Sequence, residues 1–276
     1  MLKLMYITND VEVAKIAEQY GVDRIFVDLE YIGKEERQKD MDTVKSKHTV
    51  DDVKNIKRHL NKSELLVRVN PIHGNSINEI NKVIENGADI VMLPYFKTTD
   101  EVKNFLFYVN GRVNTCLLLE TPEAVEIIDD ILKLDGIDEI HIGLNDLHLG
   151  YKKKFMFELL TDGTVEMLCN KFSQAGIEYG FGGIATLGNG TLPAEMIIKE
   201  HYRLGSSRVI LSRSFCNVDN VKNLNDIKSI FDIEVSKIRE FEGDIKKDLN
   251  HFEDNKKSID KIVESIVNRS WKWKFY

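Results

Sequence analysis

The chain has 276 residues, 42% of them hydrophobic and 30% charged, with a formal net charge of -7 at pH 7. That length suits one large α/β domain or two small ones, with the composition of an ordinary globular protein. The acidic balance gives no indication of nucleic-acid binding, and apolar runs of only strand length exclude a membrane-spanning helix.

The first segment, Met1-Leu2-Lys3-Leu4-Met5-Tyr6-Ile7, reads as a strand and lacks a signal-peptide cleavage pattern. It opens a series of runs rich in Val, Ile and Leu, which predict strands over 3–8, 24–29, 64–69, 89–95, 114–119, 138–144, 177–183 and 207–212. Amphipathic stretches between them predict helices near 11–20, 50–60, 76–86, 99–109, 122–133, 162–175 and 193–204. Gly21, Gly87, Gly136, Gly176 and Gly205 stand where most of these helices should stop, as left-handed caps. Thr49 and Asp52 have capping-box spacing, and Pro122 sits at a first helical position. Cys116, Cys169 and Cys216 are far apart and without metal-site spacing, as expected for reduced, buried thiols in a cytoplasmic protein.

Eight strands, apolar on both faces and alternating with helices, predict a (β/α)8 TIM barrel with additional C-terminal helices. The competing doubly wound sheet often has a Gly-rich phosphate loop after its first strand, but here that strand ends Thr8-Asn9-Asp10. Residues 1–219 are expected to form the barrel catalytic domain, and 220–276 a helical extension that completes it and is either a candidate for mediating oligomerisation or a cap on the same subunit's barrel. Within the extension, Leu224, Ile227, Phe231, Val235, Ile238, Phe241, Ile245, Leu249 and Phe252 form one helical stripe, with Gly243 as a candidate break. A second stripe (Ile259, Ile262, Val263, Ile266, Val267) precedes the aromatic tail 271–276.

Barrel chemistry resides at the C-terminal ends of the strands. The run Leu117-Leu118-Leu119-Glu120 and the run Ile140-His141-Ile142-Gly143-Leu144-Asn145-Asp146 each lead into a carboxylate. Asp28 and Glu30 share one side of the second strand, and Arg68 comes late in the third, where a lone guanidinium needs acidic partners. Four carboxylates against one guanidinium invite a divalent cation, and hard oxygen ligands select Mg2+ or Mn2+ over Zn2+. Gly182 and Gly183, at the end of strand seven, and Arg213, after strand eight, are candidate substrate or anion binders with the lysines at 152–154.

The segments Leu119-Glu120-Thr121-Pro122-Glu123-Ala124-Val125 and Ile142-Gly143-Leu144-Asn145-Asp146-Leu147 resemble the paired motifs of the HpcH/HpaI aldolase/citrate lyase family. Val27-Asp28-Leu29-Glu30 and Val67-Arg68-Val69-Asn70-Pro71 extend the resemblance to about residues 1–215. It implies a metal-dependent (β/α)8 enzyme that handles pyruvate-like enolates or cleaves citryl and malyl thioesters. Glu120 and Asp146 would be the metal ligands. Arg68 would hold the substrate's oxo or enolate oxygen, and Asp28 and Glu30 would surround the metal's waters.

Three positions depart from the aldolase pattern. Tyr31 stands where those enzymes carry His, Leu118 where Gln is common, and His148 where Ser is common. The segment Asp28-Leu29-Glu30 leans toward the citrate lyase β-subunit branch. A phenol is a far weaker base than an imidazole near neutral pH. His148, His48 and His73 are therefore candidates for proton transfer, with His148 preferred. The charged connection from Gly33 to Lys47 is a candidate lid. The expected activity is a carbon–carbon lyase or aldolase acting on a small 2-oxo or hydroxy acid in a homo-oligomer. The alternatives are a citryl- or malyl-thioester lyase and a non-catalytic binding or assembly subunit.

Overall fold

The computed structural model describes residues 1–33, 48–218, 220, 221, 223–245 and 251–272. The expected lid, Leu249 and the end of the aromatic tail lie outside the described residues. The elements run in order as β1 (Lys3–Ile7), α1 (Val11–Gln19), β2 (Arg24–Asp28), α2 (Val50–Lys57), β3 (Glu64–Arg68), α3 (Ser76–Glu85), β4 (Ile90–Leu93) and α4 (Thr99–Val109). They continue as β5 (Asn114–Leu119), α5 (Pro122–Glu126), α6 (Ile128–Ile131), β6 (Glu139–Ile142), α7 (Leu144–Gly150), α8 (Glu158–Thr161), α9 (Thr164–Gln174), β7 (Glu178–Ile184), α10 (Ala194–Arg203) and β8 (Arg208–Leu211). The extension forms α11 (Leu224–Ile245) and α12 (Phe252–Lys272).

The strands hydrogen-bond in chain order into a closed eight-stranded barrel, the TIM-type architecture expected from the repeat. The five expected glycines all take the left-handed φ of a helix stop. The chain divides into two compact units, Met5–Ile140 and Met1–Leu4 with His141–Tyr276.

In the first unit the β2–β3 register sets Asp28 directly beside Arg68 and Arg24 beside Glu64. Alternation puts Arg24, Phe26 and Asp28 on one face of β2, so an apolar middle separates two charged ends. At the lower end Arg24 is buried and donates to Glu64 Oε2 at 2.7 Å and to Glu139 Oε1 at 2.6 Å. A fully buried Arg is retained only with such partners.

In the second unit α11 lies over the amino terminus. Its buried row is Ile227, Phe231, Val235, Ile238 and Ile245. Gly243 does not break the helix; it falls inside α11, where that buried row outweighs the roughly 1 kcal/mol cost of one interior Gly. Glu242, also buried, accepts from the Leu2 amide at 2.5 Å and from Tyr202 Oη at 2.8 Å. Helix α12 is clamped to α9 and α10 by ions: Arg203 and Lys256 both donate to Glu166, and Arg203 also grips Glu200. All three cysteines are buried and none is in a disulfide. Among the described residues no helix is long and apolar enough to cross a membrane.

Candidate active site

The upper charged end of the first unit is built around Arg68. Its Nε and Nη2 donate to the two carboxylate oxygens of Asp28, both at 2.8 Å, and Nη1 stands 3.3 Å from Glu30 Oε2. This fork-to-carboxylate pairing is the strongest kind available to an Arg. The Phe26 ring lies beneath the guanidinium, 5.6 Å from its centre. Asp28, Glu30 and Glu120 are each 2–3% exposed. Burial works against the charge on Arg68, but Asp28, Glu30 and Glu120 together hold its pKa above the ordinary arginine range.

Glu120 follows β5 immediately. Its Oε1 accepts from the Tyr95 amide at 3.1 Å. Tyr95 presents that amide from a left-handed conformation, φ 49°, which is uncommon for a residue with a side chain. Thr121 then locks the turn. Its hydroxyl donates to the Phe96 carbonyl and accepts from the Ala124 amide, capping α5 behind Pro122.

Asn70 organises the loop beyond β2. Its Oδ1 accepts from the Tyr31 and Ile32 amides, and its Nδ2 donates to the Leu29 carbonyl and Glu79. Tyr31 itself is 69% exposed. His73 is committed at both nitrogens, accepting from the Asn75 amide and donating to Glu79 Oε2. His48 accepts the Asp28 amide on Nδ1 at 2.9 Å, which places the proton of the neutral ring on Nε2. Their geometry thus makes His73 a brace and His48 a prop behind the strand.

In the second unit Asp146 is not a strand end. β6 stops at Ile142, and Asp146 lies in the first turn of α7, half-buried. The apolar row Ile140, Ile142, Leu144 imitates a longer strand, but the chain turns at Gly143. His148 donates Nδ1–H to the Leu144 carbonyl at 3.2 Å, which leaves Nε2 as the basic nitrogen of the neutral ring. Gly182 and Gly183 lie near the end of β7, as expected. Gly182 has φ 52°, and a Cβ there would stand 2.8 Å from Leu144 Cδ1. This glycine therefore lets α7 close onto β7. Arg213 is exposed in the turn after β8.

The acids around Arg68 fit a divalent cation by charge, since among the described residues three buried carboxylates lie about its guanidinium. Among the described residues no group of three or more His, Cys, Asp or Glu side chains is arranged to hold a metal ion by itself. A Mg2+-like ion that takes one or two carboxylates and fills its other positions with water and substrate is compatible with that arrangement. Tyr95 was not singled out by sequence reasoning, because its contribution is a backbone amide and no side-chain pattern announces it.

The fold is that of an HpcH/HpaI aldolase from Desulfitobacterium hafniense DCB-2, with TM-score 0.61 and 15% identity over 82% of this chain and 93% of that one. An HpcH/HpaI aldolase/citrate lyase family protein from Burkholderia cenocepacia J2315 gives TM-score 0.59, 15% identity and coverage of 82% and 94%. The citrate synthase SbnG gives 0.59, 16% identity and coverage of 82% and 92%. Among curated proteins no sequence matches. The sequence profile of the HpcH/HpaI aldolase/citrate lyase family matches residues 4–181, well over half of the chain, and the protein belongs to that family.

Proposed function

We propose that the protein is a divalent-metal-dependent carbon–carbon lyase that acts on a small 2-oxo or hydroxy acid through an enolate. The observation that carries this reading is the buried Asp28–Arg68–Glu30 pairing with Glu120 beside it. Glu120 and Asp146 are the proposed ligands of Mg2+ or Mn2+, and the bound ion would supply Lewis-acid stabilisation of negative charge on substrate oxygens. Arg68 is a fixed, permanently charged donor for an oxygen that gains charge as the bond breaks. Asp28 holds the guanidinium flat and in place, and Glu30 takes its remaining edge. Those carboxylates are also positioned to orient water. His148 is the proposed proton carrier through Nε2, with Nδ1 anchored on Leu144. Gly182 and Gly183 shape the wall beside α7, and Arg213 is the proposed contact for a substrate's distal anionic group.

A citryl- or malyl-thioester lyase is the second reading. Tyr31 in the aldolase His position and the exposed cation of Arg213 favour it. We further place the catalytic domain at residues 1–219. The extension 220–276 completes it and joins subunits, with half-exposed Ile233 on α11 available as a contact.

The test is deuterium exchange into the methyl group of pyruvate in D2O, with Mg2+ or Mn2+ added. Exchange that is lost in Glu120→Ala and Arg68→Ala supports enolate chemistry. Absent exchange, with cleavage of a citryl or malyl thioester, supports the second reading. Absent exchange with no metal binding by calorimetry defeats both and leaves a binding or assembly subunit. Light scattering of Ile233→Asp reports on the extension, and an unchanged assembly size removes that residue as a contact.

A further inference from the structure

A cavity of about 260 Å³ lies behind the β2–β3 rim, between α2 and α3. Leu29, Tyr31 and Val50 supply its apolar wall. Asp28, Glu30, Arg68 and Glu120 are not among its lining residues, so the cavity is separate from the Arg68 cluster. Its polar lining divides into spent and unspent groups. Asn70 has both its amide atoms engaged, His73 has both ring nitrogens engaged, and the two oxygens of Glu79 are taken by Asn70 and His73. Thr49 donates to Asp52. Asn75 Oδ1 accepts from Asn78, which leaves its Nδ2 as an uncommitted donor. Lys82 lines the same cavity and makes no ion pair among the described residues. Lys82 and Asn75 thus supply an unspent cation and an unspent amide donor above an apolar floor.

We propose that this cavity is a second ligand site for a small anion, a carboxylate or phosphate on a short apolar body. Lys82 Nζ and Asn75 Nδ2 bind its oxygens, and Leu29, Val50 and the Tyr31 ring hold its carbon skeleton. The negative charge of Glu79 lies in the wall, but its oxygens are turned into hydrogen bonds with Asn70 and His73 and away from a competing role. The site also has a route to the Arg68 cluster. Asn70 holds the Tyr31 and Ile32 amides immediately after Glu30, and His48 in the same wall holds the Asp28 amide. Occupancy would therefore act on the strand end that carries Asp28 and Glu30.

The test is titration of the full chain with succinate and, separately, inorganic phosphate, followed by amide NMR of Tyr31, Ile32 and Asn75. Saturable shifts in the millimolar range are expected for at least one anion. Loss of a charge-assisted bond should weaken binding about tenfold or more in Lys82→Ala, with a smaller loss in Asn75→Ala. Lys82 is exposed on α3, so folding is not at risk. Glu120→Gln should leave the titration unchanged. Saturation by succinate alone identifies a carboxylate site, and by phosphate alone a phosphate site. Shifts that survive Lys82→Ala undiminished, shifts abolished by Glu120→Gln, or no saturation by either anion would each overturn the proposal.

Discussion

Replacing Arg68 tests whether the upper charged end of β2 and β3 is held together as described. Arg68→Met removes the guanidinium paired with Asp28 and Glu30, beside Glu120, all three acids being 2–3% exposed. Breaking a buried ion pair from one side costs about 3–5 kcal/mol, because the remaining charge stays buried without its partner. For a chain of this size that is a fall in Tm of roughly 6–15 °C at pH 8. Arg68→Lys keeps the charge but cannot span both oxygens of Asp28 and reach Glu30 as well. It should lose about 1–3 kcal/mol, one or two charge-assisted bonds. Differential scanning calorimetry at pH 8 reads both variants. A Met variant that melts within one or two degrees of the parent at pH 8 would refute the buried-charge reasoning. In the exchange assay, run well below its melting temperature, the Lys variant separates folding from chemistry: folded protein with a loss of about 10²-fold or more is expected if the fork itself is needed.

The barrel was legible because its signals are local. Each strand is an apolar run, and Gly21, Gly87 and Gly205 mark helix ends by a backbone conformation that only glycine adopts freely. The Asp28–Glu30–Arg68 cluster was legible too, since strand rhythm groups acids at i and i+2 and a lone Arg late in an apolar strand must be answered, although β2 itself ends at Asp28. Asp146 was misplaced because Ile140, Ile142 and Leu144 continue the strand period past the true end of β6. Only the tertiary fit of Leu144 against Gly182 shows that α7 has begun. Gly243 misled for the opposite reason: a local breaker was overruled by a buried stripe that runs through it. Arg24 was read only as the start of a strand, because its closest partner, Glu139, is 115 residues away. Tyr95 holds Glu120 through its own amide, and His48 props the amide of Asp28. Such backbone bonds leave no compositional trace, because every residue but proline has the amide.

Tyr95 and Gly182 give two conformational tests. Tyr95→Gly should be about 1 kcal/mol more stable than Tyr95→Ala, because both lose the ring and only Ala keeps the left-handed strain; equal urea midpoints would remove strain from the account. Gly182→Ala should cost about 1–3 kcal/mol and weaken Mg2+ affinity by calorimetry, by pressing Leu144 and the first turn of α7 away from β7. Partial recovery in Gly182→Ala with Leu144→Ala would identify the clash, and no recovery would leave φ strain alone. The clamp on α12 makes a sharper claim about acid. Hydrogen bonds from Arg203 and Lys256 hold the Glu166 carboxyl down to about 2, against an ordinary 4.5. A depressed carboxylate pKa contributes stability that is complete above about pH 4.5 and is lost as pH falls through 4.5 toward 2. The full shift corresponds to about 3 kcal/mol, and with 31% of the side chain exposed a contribution of about 2 kcal/mol is expected. Glu166→Gln should therefore be less stable than the parent by that amount at pH 7 in urea titrations, with the gap closing steadily below pH 4.5. A gap that is the same at pH 3.5 as at pH 7 would mean that Glu166 contributes through packing or neutral hydrogen bonds, and that the ions do not hold α12 in place.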